Sequence, residues 1–178
     1  MGEGVTKSRP LRDLRGYGRL EALNALLVPG FSTYYGWPRD LGGGIVLALA
    51  NSGLVIGLVV GALYWLALAK RVAGNPVPMG RALQIAHWAQ IPMLVAVGGA
   101  ATWCAVLLVA QRGLSFPLGV AVFITFLAAL EYVNYYHVQL QHFDNPADWR
   151  RLLGGRRFRA AHMARDLAKW RRRRQRTI

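Results

Sequence analysis

The chain has 178 residues, is 54% hydrophobic, and carries a formal net charge of +14 from 22 basic and 8 acidic residues. A soluble domain does not ordinarily combine so apolar a composition with so high a charge, but the two coexist when they occupy different stretches. Here no basic residue falls inside the three longest uncharged runs, the few acidic residues leave little for acid–base chemistry, and the single cysteine, Cys104, excludes an intrachain disulfide.

Residues 1–40 form a basic N-terminal region. Lys7, Arg9, Arg12, Arg15 and Arg19 precede the apolar stretch Leu20 to Val28, which Glu21 and Asn24 interrupt. Pro29-Gly30 and aromatics follow where a signal peptide would carry a small-residue cleavage site, so the segment is read as retained. Leu20, Leu23, Leu26 and Leu27 fall on one helical face, and Pro29-Gly30 is expected to punctuate that helix. Phe31, Tyr34, Tyr35 and Trp37 suit a membrane–water boundary. The expected form is an interfacial or re-entrant segment; a poor fourth crossing is the alternative.

Residues 41–142 predict a domain of three transmembrane helices, giving an all-α integral membrane protein. A crossing needs about 20 apolar residues, and backbone groups in lipid must be satisfied within the segment, which favours helices. Leu41 to Ala69 and Ala82 to Gln111 meet the length requirement; Gly113 to Leu130 meets it by continuing past Glu131 to Leu140. In the first crossing Gly53, Gly57 and Gly61 recur every fourth residue. That places three glycines on one face, open to a helix of this chain or of another subunit. Lys70 to Arg81, with Asn75-Pro76-Val77-Pro78, is expected as a loop. Pro92 is a candidate kink, and Gly98-Gly99 a second close-approach surface. The short connection Arg112 to Pro117 predicts an antiparallel pair.

Residues 143–178 read as a basic amphipathic tail. Asn145-Pro146 starts a helix that Gly154-Gly155 ends. A second helix, about Arg156 to Arg174, aligns Ala160, Met163, Ala164, Leu167 and Trp170. Phe158, Arg159, Arg165, Lys169, Trp170, Arg172 and Arg173 are the expected surface for anionic lipids or an acidic partner. No groove-reading motif accompanies the charge, so nucleic acid is not expected. Positive charge near membrane ends stays cytoplasmic, which places the C-terminus inside a bacterial cytoplasmic membrane. The basic residues before Leu20 conflict with an odd number of crossings, and the side of the N-terminus stays open.

Two constellations carry candidate chemistry. Glu131, Asn134, Tyr135 and Val138 form one stripe of the third crossing, and an ionisable residue in a membrane helix is a functional candidate by default. His87 and His137, at similar depth on neighbouring helices, are candidate ligands for a haem or pigment. No nucleophile elbow, phosphate loop or metal-binding cysteine motif is present. The leading expectation is a non-catalytic accessory subunit of a bacterial membrane complex, respiratory or photosynthetic assemblies among them, with other membrane subunits as partners. The alternatives are a haem- or pigment-binding anchor using His87 and His137, and a small lipid-modifying or transport protein using Glu131.

Overall fold

A computed structural model of the protein describes residues 3–38, 40–111, 113–138 and 160–175. The described residues are helical throughout: α1 Glu3–Gly36, α2 Leu41–Val72, α3 Val77–Ala110, α4 Phe116–Tyr136 and α5 His162–Gln175. Three of these, α2, α3 and α4, are long and apolar enough to cross a membrane. The expected helix after Asn145 lies outside the described residues.

The α2–α3 connection is tighter than expected. Helical structure continues through Lys70 and Arg71 and resumes at Val77, leaving Ala73 to Pro76 to reverse the chain. Gly74 takes φ +96°, which a residue with a Cβ adopts only under strain. Pro78 does not prevent the early start of α3, because a proline in the first turn has no intrahelical partner to lose. At the other end of α2, Asp40 accepts a hydrogen bond from the Gly43 amide at 2.7 Å and caps the helix.

Helix α2 is the hub. In its most apolar window 56% of residues are buried, against 28% in α3 and in α4, whose outer faces are exposed. The glycine seam explains how two of its neighbours reach it. A Cβ at Gly53 would lie 2.9 Å from Val97 Cγ2 and 3.6 Å from Ala128 Cβ. At Gly57 it would meet Met93 and Glu131, and at Gly61 the ring of Tyr135. The seam is therefore filled by α3 and α4 of the same chain. Gly98, by contrast, has nothing within 4 Å of its Cβ direction.

The N-terminal region departs most from expectation. The break expected at Pro29-Gly30 is absent: α1 runs unbroken through it, antiparallel to α2. Tyr17 lies against Trp65 with ring centroids 5.8 Å apart, and Gly18 meets Ala62 and Leu66. Farther along, Ser32 Oγ donates to Asn51 Oδ1 at 2.8 Å and Asn51 Nδ2 to Thr33 Oγ1 at 3.3 Å, before Gly36 packs on Val120. These contacts grip α1 on both sides of Pro29, so loss of one backbone hydrogen bond does not end the helix. The orientation is also inverted relative to a soluble amphipathic helix. Glu21 is 8% exposed and Ser32 7%, while Leu20, Leu23, Leu26 and Leu27 point outward, Leu26 at 75% exposed.

Helix α5 closes one end of the bundle. Met163 and Leu167 join the core of the other helices. Tyr64 Oη donates to Asp166 Oδ2 at 3.1 Å, and Arg71 pairs with the same oxygen at 3.3 Å. The Ala161 amide donates to the His137 carbonyl at 3.2 Å, stitching α5 to the end of α4.

One substitution at two glycines should have opposite signs. Gly61→Ala forces a rigid tyrosine ring out of place and is expected to destabilise by about 1–3 kcal/mol. Gly98→Ala adds a methyl in open space and is expected to be neutral, or stabilising by up to about 1 kcal/mol. Thermal unfolding of the two variants in one mild detergent measures both.

Candidate functional site

The seam that lets α4 approach α2 also sets a polar group inside the bundle. Gly57 makes room for the Glu131 Cβ and Gly61 for the Tyr135 ring, one turn apart on both helices. On the third side, Gly18 brings α1 against Ala62 and Leu66, which carries Glu21 inward. Three helices thus converge on Glu21, Glu131, Tyr135 and Trp65.

The hydrogen bonding within this group is incomplete. Tyr135 Oη donates to Glu21 Oε1. The Asn134 side chain is hydrogen-bonded to the Glu131 carboxyl, as the helical spacing of that stripe allows. Glu21 Oε2 and Glu131 Oε2 are both buried and have no partner. The Trp65 N–H faces the Tyr135 hydroxyl without completing a hydrogen bond. The two carboxyl groups are near enough for their charges to interact, and among the described residues neither forms an ion pair with a cation. Two buried carboxylates without a counter-charge are electrostatically costly. A proton bound to one of them removes a charge and turns an oxygen without a donor into a donor itself.

The stripe Glu131, Asn134, Tyr135 is thus held together as its spacing predicts, with Val138 at its end facing Ala160. Glu21 and Trp65 are additions. Their sequence signal is a second stripe: Gly18, Glu21, Ala25, Ser32 and Gly36 fall at helical spacing and are all buried. It is masked by the leucines beside it, which suggest the opposite face as the inner one.

The two histidines take different partners. His87 Nδ1 receives Arg171 Nε at 3.2 Å and Nη2 at 2.9 Å. A guanidinium has no acceptor, so Nδ1 is the acceptor and the ring proton of neutral His87 sits on Nε2. Arg171 also donates to Gln90 Oε1 at 2.6 Å, and Gln90 Nε2 lies 3.4 Å from the Tyr132 hydroxyl. His137 rests against the Tyr132 ring, centroids 5.4 Å apart. Arginine, glutamine and tyrosine thus intervene between the imidazoles. Among the described residues no group of three or more histidine, cysteine or acidic side chains is placed to hold a metal ion.

The surface proposed for the tail divides. Trp170 is half-buried, 5.8 Å from the His87 ring, with the Arg174 guanidinium 4.9 Å above it; it anchors α5 to its own chain. Arg165 is hydrogen-bonded to His162 at 3.0 Å. Lys169, Arg172 and Arg173 are exposed, while Phe158 and Arg159 lie outside the described residues. Comparison with protein-family models, with curated proteins and with solved structures finds no match to this chain.

Removing one hydroxyl tests the interior bond. Tyr135→Phe leaves Glu21 Oε1 without its donor and is expected to cost about 1–3 kcal/mol. Tyr34→Phe, at an exposed position, should be silent in the same unfolding measurement.

Proposed function

We propose that the protein is a small integral protein of the bacterial cytoplasmic membrane that moves a solute or lipid, coupled to uptake and release of a proton at the Glu21–Glu131 pair. One observation carries this reading: two carboxyl groups buried at a helix junction, each with an open oxygen, beside an unsatisfied indole N–H. Buried polar groups in folded proteins are ordinarily bonded, and a set of exceptions concentrated at one place calls for a bound occupant or a functional role. A proton supplies the missing donor. Tyr135, bonded to Glu21 and within electrostatic reach of Glu131, is placed to steer it.

The same proposal includes four crossings. Helix α1 is too polar to qualify by hydropathy, but Glu21 and Ser32 face the bundle while Leu20, Leu23, Leu26 and Leu27 face outward, the orientation that lipid selects. Counting it brings Arg12, Arg15 and Arg19 to the same end as Lys70, Arg71, Arg81 and the basic face of α5, which removes the conflict over charge and places that end in the cytoplasm.

A second reading, a non-catalytic accessory subunit of a larger membrane complex, retains one support. Phe31, Tyr34, Tyr35 and Trp37 are exposed together near the end of α1, with Phe31 and Tyr35 stacked. Its other grounds, the glycine seam and the apolar face of the tail, are occupied within the chain. The haem or pigment reading has His87 already committed to Arg171.

Infrared difference spectra of the protein in lipid, between acidic and alkaline buffer, test proton binding. A protonated-carboxyl band that titrates in the native protein and is lost in both Glu21→Gln and Glu131→Gln is the expected result. A band unchanged in the two variants removes the proposal, and a signal that follows sodium instead of pH reassigns the site to a cation. Topology has its own measurement: reporters at the two termini should both be cytoplasmic, whereas three crossings would put them on opposite sides. Stoichiometric protein companions in gentle purification would favour the second reading.

A further inference from the structure

Where α2 turns into α3, α5 lies across the turn and leaves an open cleft of about 240 Å³. Its walls differ in kind. Arg71 from α2 and Lys169 and Arg173 from α5 supply positive charge; Met79 and Leu83 from α3 supply an apolar floor, and Trp170 closes the back. The one acid in the cleft, Asp166, is held by Arg71 and by the Tyr64 hydroxyl. Three cations against one acid leave the cleft net positive, and exposed Lys70 and Arg81 are the chain neighbours of Arg71 and Gly80. Gly80 sits on its lip with nothing within 4 Å of its Cβ direction.

Below the cleft the surface becomes apolar. From Gly80 the helical spacing leads through Gln84 to Trp88, Ile91 and Val95, all exposed on the outer side of α3. A basic, tryptophan-backed recess thus opens directly onto a strip of lipid-facing surface.

We propose that this cleft binds the phosphate-bearing headgroup of an anionic phospholipid, with the acyl chains lying along Trp88, Ile91 and Val95. Basic pockets at the cytoplasmic ends of membrane helices take such headgroups. A soluble phosphate would leave the apolar floor and the strip below unused. The cleft is also small for a protein segment, since even drug-sized ligands occupy about 300–1,000 Å³. The assignment is independent of the proton site, which lies deeper between α1, α2 and α4.

The test is thermal unfolding of the full chain in a zwitterionic detergent, titrated with phosphatidylglycerol, phosphatidylcholine, inorganic phosphate or polyglutamate. Phosphatidylglycerol is expected to raise the midpoint at concentrations where the other three do not. Gly80→Glu places a carboxylate in open space at the lip, and Lys169→Glu reverses a charge inside. Each is expected to raise the lipid concentration needed by about tenfold. Arg172→Glu changes net charge as much as Lys169→Glu but lies outside the cleft, and should titrate like the native protein. Equal losses in Arg172→Glu and Lys169→Glu overturn the proposal in favour of a diffuse basic surface. An equal response to phosphatidylcholine, to phosphate alone or to polyglutamate also overturns it.

Discussion

A helix that carries Glu21, Ser32 and Thr33 can lie among apolar neighbours only if those groups find partners inside the protein. Each unsatisfied group in hydrocarbon costs several kcal/mol, on the order of a whole domain's margin of stability. The partners come from other helices: Tyr135 on α4 for Glu21, and Asn51 on α2 for Ser32 and Thr33. Because these bonds join segments far apart in sequence, they also fix the rotation of α1 about its axis. Turned half a revolution, it would bury leucines and push a carboxylate outward. The bonds that make the helix tolerable are the same ones that make its placement unique.

The glycine seam works with this constraint. Without side chains at 53, 57 and 61, α2 accepts Val97 and Met93 from one side and Ala128, Glu131 and Tyr135 from the other. Close approach is what places a tyrosine hydroxyl within reach of a carboxylate on a third helix. Helix association in a membrane has little hydrophobic drive and depends on packing and interhelical hydrogen bonds; both originate here from one stripe of one helix.

The three apolar helices and their order were legible because each carries a long uncharged run, and the seam was legible because a four-residue glycine repeat is periodic and rare. The stripe Glu131, Asn134, Tyr135 was readable for the same reason. Helix α1 was not. Pro29-Gly30 reads locally as a break, and Leu20, Leu23, Leu26 and Leu27 read as the apolar face of a short segment. The break does not form because a partner helix grips both sides of the proline. Glu21 was hidden with it, since its significance depends on Tyr135, 114 residues later. The tail's amphipathic pattern was visible, but amphipathicity alone does not say which apolar surface is covered; Met163 and Leu167 cover their own bundle.

That docking of α5 has a consequence for biogenesis. Met163 and Leu167 belong to the core, and Arg171 bonds to His87 and Gln90 in the first turns of α3. These contacts join segments separated by more than 80 residues. The apolar helices therefore have one end of their bundle uncovered until residue 171 has been made and enough chain follows for it to fold back. That end is the last part of the molecule to be sealed during synthesis.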